Sequence, residues 1–418
     1  MTSFIEPATF ADRYPEVLAT SPMVESVISP EYFQLEKERL FRKVWLCVGR
    51  EEEAAEPGQY FVKDIVACDT SVLVARGDDG VLRAFHNVCR HRGSTLVWEA
   101  SCGSAKKFVC GYHGWSYKLD GRLVGVPAER QFRDFDKAKH GLAGITLDVW
   151  QGFVFVNFDP APAQTLAEFI GELGDSLSGY QFGGKVPAFK YGATVNANWK
   201  LGMDAFQETY HAAFVHKRSI GEAATSRENP FANPLDITLY DMHRQFSVYA
   251  PPVVDPTATG FSAVLGGNTM GGDTPDSLAR GGRYDGLPRG VNPTRQSTWS
   301  FDIDVIFPNY IIDVFEHMYA VQEFWPISVD QTYWEFTFYV PPGGSAGMLF
   351  AGEQAKVTLR DVALEDFSNL ERVQAGLRSG SLTEMVLQDS ELLLRHQYKV
   401  VEDHVRYFKG SQNGGASS

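Results

Sequence analysis

The stretch "NVCRHRGSTLVWEASCGSAKKFVCGYHGWSY", residues 87–117, gathers three of the chain's five cysteines and two of its ten histidines. Two short elements, Cys89-x-His91 and Cys110-x-x-His113, each set a thiol and an imidazole within reach of one another, with residues 92–109 between them. The surroundings are β-like. From "GQYFVKDIVACDTSVLVARGDDGVLRAFHNV" to "GITLDVWQGFVFVNFDP", short β-branched and aromatic runs are separated by Gly80, Gly103, Gly121 and Gly152 and by turns such as "DDG" and "LDG". The spacing predicts an all-β module over residues 40–160, with both ligand pairs on its loops.

Two thiolates and two imidazoles suit a [2Fe-2S] centre in which histidines replace two cysteines on one iron. Gly93, Gly111 and Gly114 beside them permit the tight turns that wrap a chain round a cluster. Cys2His2 also suits tetrahedral zinc. The CxH then CxxH spacing inside a β module is unlike a zinc finger and favours the cluster. Cys102, in "EASCGSAKK", is expected to be an incidental thiol, and Cys47 and Cys68 to pack as small hydrophobes.

The 418 residues allow two domains with substantial cores. Five cysteines make no disulfide framework and point to a reducing compartment, read as cytoplasmic. The opening "MTSFIEPATFADRYPEVL" has no basic segment followed by an apolar run, and no window approaches the ~18 apolar residues of a membrane span. A net charge of −14 argues against nonspecific nucleic-acid binding.

Residues 1–39 are read as a helical segment packing on the second domain, with an amphipathic helix over 30–46. Pro160 and Pro162 mark a boundary. Beyond it, 161–418 is expected to combine an antiparallel sheet with helices, an α+β fold. "STWSFDIDVIF", "NYIIDVFEHMYAVQEFWPI" and "TYWEFTFYV" read as long neighbouring strands whose aromatics either wall a cavity or pack a core. Residues 251–296 form a long irregular loop, helices follow over 353–377 and 381–408, and a polar tail closes the chain.

A second constellation lies in "NANWKLGMDAFQETYHAAFVH", residues 196–216. At helical spacing Asp204, Glu208 and His211 share one stripe; His216 falls about 140° further round, so the helix must bend or end if both histidines bind one metal. Alone, such a pair is as readily a polar contact. A mononuclear non-haem iron site needs a carboxylate besides two histidines. On the helix 353–377, Asp366 falls in the apolar stripe of Val362, Leu370 and Val373, where a buried carboxylate calls for a partner. Asp361 is the reserve; with Glu365 and Arg372 it is expected on a solvated face.

"CRHRG" with "CGYHGW" resembles the Rieske motif of the Rieske non-haem iron oxygenases, and acid-x-x-His-x4-His followed by "EDFSNLERVQAGL" resembles their iron-binding elements. The resemblance spans most of the chain. It implies a terminal oxygenase subunit in which Cys89 and Cys110 hold one cluster iron, His91 and His113 the other, and His211, His216 and Asp366 a mononuclear Fe(II). NAD(P)H electrons would arrive through a partner reductase, with or without a ferredoxin. The assembly implied is a homotrimer, with or without a small beta subunit. Glu208 stands where the family usually has an aspartate linking the two iron sites across subunits, and Asp204 is a neighbouring candidate. Glutamate there is similar to members acting on quaternary amines. The substrate is therefore an aromatic or other apolar compound to be mono- or dihydroxylated, or a quaternary amine or methoxy compound to be demethylated. Two other classes remain open on residues alone: a Rieske electron carrier and a zinc-stabilised binding module.

Overall fold

The computed structural model describes residues 10–18, 21–98, 101–251, 284, 286–343 and 346–407. Most of the irregular loop expected over 251–296 and the polar tail lie outside them. The chain divides into two compact units, one of Lys37–Phe169 and one of Met1–Glu36 with Ile170–Ser418.

The smaller unit is β throughout. Its strands are β1 (Leu46–Arg50), β2 (Gln59–Ile65), β3 (Thr70–Arg76), β4 (Leu82–His86), β5 (Cys102–Ser104), β6 (Phe108–Val109), β7 (Ser116–Tyr117), β8 (Leu123–Gly125), β9 (Gly144–Trp150) and β10 (Phe153–Asn157). Seven form one sheet in the order β1-β10-β9-β4-β3-β2-β5, and β6-β7-β8 form a second. Leu73, Phe85, Leu96, Phe108, Trp115, Tyr117 and Leu123 share a core cluster with Cys89 and Cys110. Burying these apolar side chains fixes the two ligand loops, which leave the sheets at β4 and β6.

The larger unit is built on β11 (Val186–Val195), β12 (Asp236–Leu239), β13 (Arg244–Tyr249), β14 (Trp299–Ile306), β15 (Tyr310–Val314), β16 (Tyr319–Ser328) and β17 (Gln331–Val340). They make one antiparallel sheet, ordered β11-β17-β16-β15-β14-β13-β12. Its helices are α1 (Pro15–Leu18), α2 (Glu25–Ile28), α3 (Pro30–Glu36), α5 (Trp199–Asp204), α6 (Ala212–Val215), α7 (Gly221–Ala224), α8 (Ala346–Leu377) and α9 (Leu392–Tyr407), while α4 (Leu166–Ser176) spans the division between the units. The fold is α+β. Among the described residues no helix is long and apolar enough to cross a membrane.

Several expected elements differ, and helix α8 begins at Ala346 rather than 353. The helix over 30–46 is α helix only to Glu36, continues as one π-type turn over Lys37–Phe41, and gives way to a strand at Leu46, whose β-branched and aromatic partners lie on β10. The segment 309–327 is two strands, because the polar pair Glu316-His317 makes a turn and the Phe315 N–H closes on the Met318 carbonyl (3.0 Å). Helix α9 begins at Leu392 rather than 381: Glu384 forms a bridge with Met23 and the Met385 N–H bonds the Pro22 carbonyl (2.9 Å), drawing that backbone into pairing.

Candidate iron-binding sites

In the smaller unit the ligand loops are shaped by their own backbone. The Cys89 N–H bonds the Ser94 carbonyl and the Gly93 N–H the Cys89 carbonyl; likewise the Cys110 N–H bonds Trp115 and the Gly114 N–H bonds Cys110 (2.8–3.0 Å). Gly93 and Gly114 have φ of 77° and 73°, a conformation open to glycine at little cost. The thiols are buried, whereas His113 is exposed and His91 half-buried, with ring centroids 4.7 Å apart. His91 stacks on Trp115 (4.8 Å, 13°). The Tyr117 hydroxyl accepts from the Arg90 N–H (3.0 Å), which leaves its own hydrogen for the Cys89 sulfur, 3.3 Å away. Burial works against ionising either thiol, and it prevails at Cys89. At Cys110 the Tyr112 N–H, Cys89 and the His113 N–H outweigh burial and hold the thiol below its usual range. Inward thiols and outward imidazoles match a cluster with one thiolate-held and one imidazole-held iron. Cys102 lies exposed on β5, and Cys47 and Cys68 are buried.

In the larger unit Asn198 caps α5, accepting from the Lys200 N–H (3.0 Å), while its own N–H bonds the Gln374 side chain of α8 (2.8 Å). Lys200 pairs with Glu36 in the interior, and Trp199 Nε1 donates to the same carboxylate (3.0 Å). Burial drives Glu36 up and Lys200 down. The expected continuous helix from Asp204 to His211 is not formed. Helix α5 ends at Asp204 and α6 starts at Ala212, so His211 and His216 flank a single four-residue turn. That break resolves the 140° problem by turning both imidazoles to one point. His211 Nε2 and His216 Nε2 are 3.1 Å apart, and Asp366 Oδ1 is 3.5 Å and 3.2 Å from them. The ligand atoms of all three lie within 4.8 Å of one another, and Asp366 is 3% exposed.

The rear nitrogens explain the orientation. His211 Nδ1 bonds Glu208, whose other oxygen accepts the His211 N–H (3.1 Å); His216 Nδ1 bonds Glu365 Oε2 (2.9 Å), which also accepts from Ser219 (2.6 Å). With each Nδ1–H given to a carboxylate, both Nε2 lone pairs face a third carboxylate. Three converging acceptors repel unless a cation sits among them. Burial opposes a charged His216, yet Asp366 and Glu365 outweigh it and raise its pKa.

Asp204 is elsewhere. It accepts from Tyr398 (2.8 Å) and Gln397 (3.1 Å), and burial pushes its pKa up to about 8. Asp361 is exposed and pairs with Arg360 (2.8 Å). Glu365, expected on a solvated face, instead buttresses His216. Its signal in the sequence is faint: it directly precedes Asp366, and only the break before α6 brings His216 to it.

The ring hydroxylating alpha subunit (catalytic domain) family matches residues 182–407, more than half the chain. The chain belongs to that family. The Rieske [2Fe-2S] domain family matches residues 44–138 of this alpha subunit. It is 35% identical over 240 residues to the glycine betaine monooxygenase oxygenase subunit of Chromohalobacter salexigens, covering 51% of this chain and 53% of that protein. The chain spans about half the length of the curated relatives it matches. Its fold is shared with naphthalene 1,2-dioxygenase from Rhodococcus sp. bound to indole (TM-score 0.74, 20% identity, 98% and 100% of the chains). It is shared too with a quaternary ammonium Rieske monooxygenase in complex with gamma-butyrobetaine (TM-score 0.71, 22% identity, 96% and 99%).

Proposed function

We propose that this alpha subunit is the terminal oxygenase of a multicomponent system. Cys89 and Cys110 hold one iron of the cluster, His91 and His113 the other, and His211, His216 and Asp366 hold a mononuclear iron. The observation that carries the reading is the convergence of two imidazoles and one buried carboxylate, each imidazole backed by its own glutamate, in a chain that also bears the CxH and CxxH loops. With both centres loaded, the cluster supplies electrons singly and the mononuclear iron activates O2.

The protein's part is orientation and exclusion of water. Glu208 and Glu365 fix both imidazoles with Nε2 inward, and Phe367, next to Asp366, packs edge-to-face on Trp334 (4.9 Å) to make one side of the site apolar. The substrate lies against that aromatic face of the sheet and is hydroxylated at carbon. Oxidation of a quaternary amine is the second reading, favoured by Glu208 at the linking position and by what the Chromohalobacter relative acts on. A partner reductase, with or without a ferredoxin, delivers electrons; the assembly is a cytoplasmic homotrimer, with or without a small beta subunit, in which Glu208 also serves the electron path between subunits.

Replacing His211 by alanine tests the assignment. Loss of substrate-dependent O2 uptake with an unchanged cluster spectrum is expected, and retained uptake would refute it.

A further inference from the structure

The sheet of the larger unit turns one face to the helices that carry the mononuclear site. Side chains alternate along a strand, so the register places Phe301, Ile303, Asp313, Phe315, Ala320, Gln322, Phe324, Trp334 and Phe336 on this face. Phe206, after α5, packs on Phe324 (5.6 Å) and Trp334 (6.2 Å), and Phe367 of α8 packs on Trp334. Among the described strand residues the same face carries one carboxylate, Asp313 on β15, which is linked to Trp334 through Gln322.

Asp313 is 6% exposed. Its Oδ2 accepts from Gln322 Nε2 (3.0 Å), and Gln322 Oε1 in turn accepts from Trp334 Nε1 (3.2 Å). The indole thus fixes which way the amide points, and the amide fixes the carboxylate. Oδ1 has no partner among the described residues. Directly opposite Asp313 on β16 is Ala320, which contributes only a methyl group. Burial raises the Asp313 pKa to about 7 against the hydrogen bond from Gln322, and no cation offsets it. Arg244, another buried charge on this face, is held by Gln207 and Gln397 through Nε and Nη2, and its Nη1 has no partner among the described residues.

A site meant for a neutral hydrocarbon gains nothing from an acid that must be desolvated and left half-bonded. An alkylated ammonium ion gains twice, because it has few or no N–H groups to satisfy and is attracted both by a carboxylate and by ring faces.

We propose that Asp313 is the anionic recognition group of the substrate site and that the substrate is a small organic cation carrying an alkylated nitrogen. The inference rests on the oxygenase reading above and selects among its substrates. Asp313 positions the cation, and the rings around it exclude water.

The test is calorimetric titration of the iron-loaded protein with choline, tetramethylammonium and 3,3-dimethylbutan-1-ol, the uncharged carbon isostere of choline. Choline should bind about ten-fold or more tightly than the isostere. Asp313→Asn, which mimics the protonated acid in shape, should abolish that preference while changing isostere binding less than about two-fold; Asp313→Glu should keep part of it. Equal affinities, no binding of either cation, or a preference that survives in Asp313→Asn would overturn the proposal, and the first two need no variant to fold. Iron content and cluster spectrum of the same samples report on the oxygenase reading separately: a fully loaded protein without cation preference sinks only this inference.

Discussion

At the scale of single residues, the mononuclear site depends on groups that would not themselves touch iron. Glu365 receives the Nδ1 of His216 and the Ser219 hydroxyl. Glu365→Ala should weaken iron affinity by about 10–100-fold, the usual cost of removing such a buttress, and leave the cluster intact. Iron titration followed by cluster absorbance checks this; unchanged affinity would mean that His216 needs no orientation. In the smaller unit, Tyr117 bonds the Cys89 sulfur. Hydrogen bonds to cluster sulfurs favour the reduced, more negative state. Tyr117→Phe should therefore lower the reduction potential, by about 40–60 mV if the bond is worth about 1–1.5 kcal/mol more to the reduced cluster. Voltammetry measures it directly.

Elements impose constraints that no isolated residue displays. The loop turning at Gly93 has open space where a Cβ would be, so Gly93→Ala carries backbone strain alone, about 1–2 kcal/mol. Gly114→Ala adds a contact 3.2 Å from Pro127 and should lose cluster sooner on heating. On β14, burial raises the Asp302 pKa to about 7 from the ordinary 3.8, against hydrogen bonds from Ser247 and the Asn292 N–H. The folded chain then holds a proton that the unfolded chain has released between about pH 4 and 7, so folding loses stability as pH rises through that window. Asp302→Asn should flatten the fall, gaining at most about 4 kcal/mol on the wild type above pH 7. Denaturant midpoints at several pH values test the sign. The elements also mark what a sequence conveys. Alternation and turn glycines make the smaller unit plain, and the apolar stripe around Asp366 singles out that carboxylate. The break between α5 and α6 is hidden, since "MDAFQETYHAAFVH" has helical spacing throughout; tertiary context overrides that local preference, and Asp204, the last residue of α5, is tied to Tyr398 and Gln397.

The whole molecule joins two units with different chemistry in one chain. The Cys and His pairs are legible because soft ligands at such spacing have few other uses, whereas Asp313 and Glu365 are not: Gln322 meets Asp313 only through the register of β15 on β16, and His216 reaches Glu365 from a distant turn. The central claim is that one chain keeps a histidine-ligated cluster and a separate iron. Metal and sulfide analysis, with electron paramagnetic resonance of anaerobically reduced protein, tests it most directly. About three irons and two sulfides per wild-type chain are expected. In Asp366→Ala about two irons are expected, with the same cluster signal. About two irons in both proteins, or zinc in place of the cluster, would contradict it.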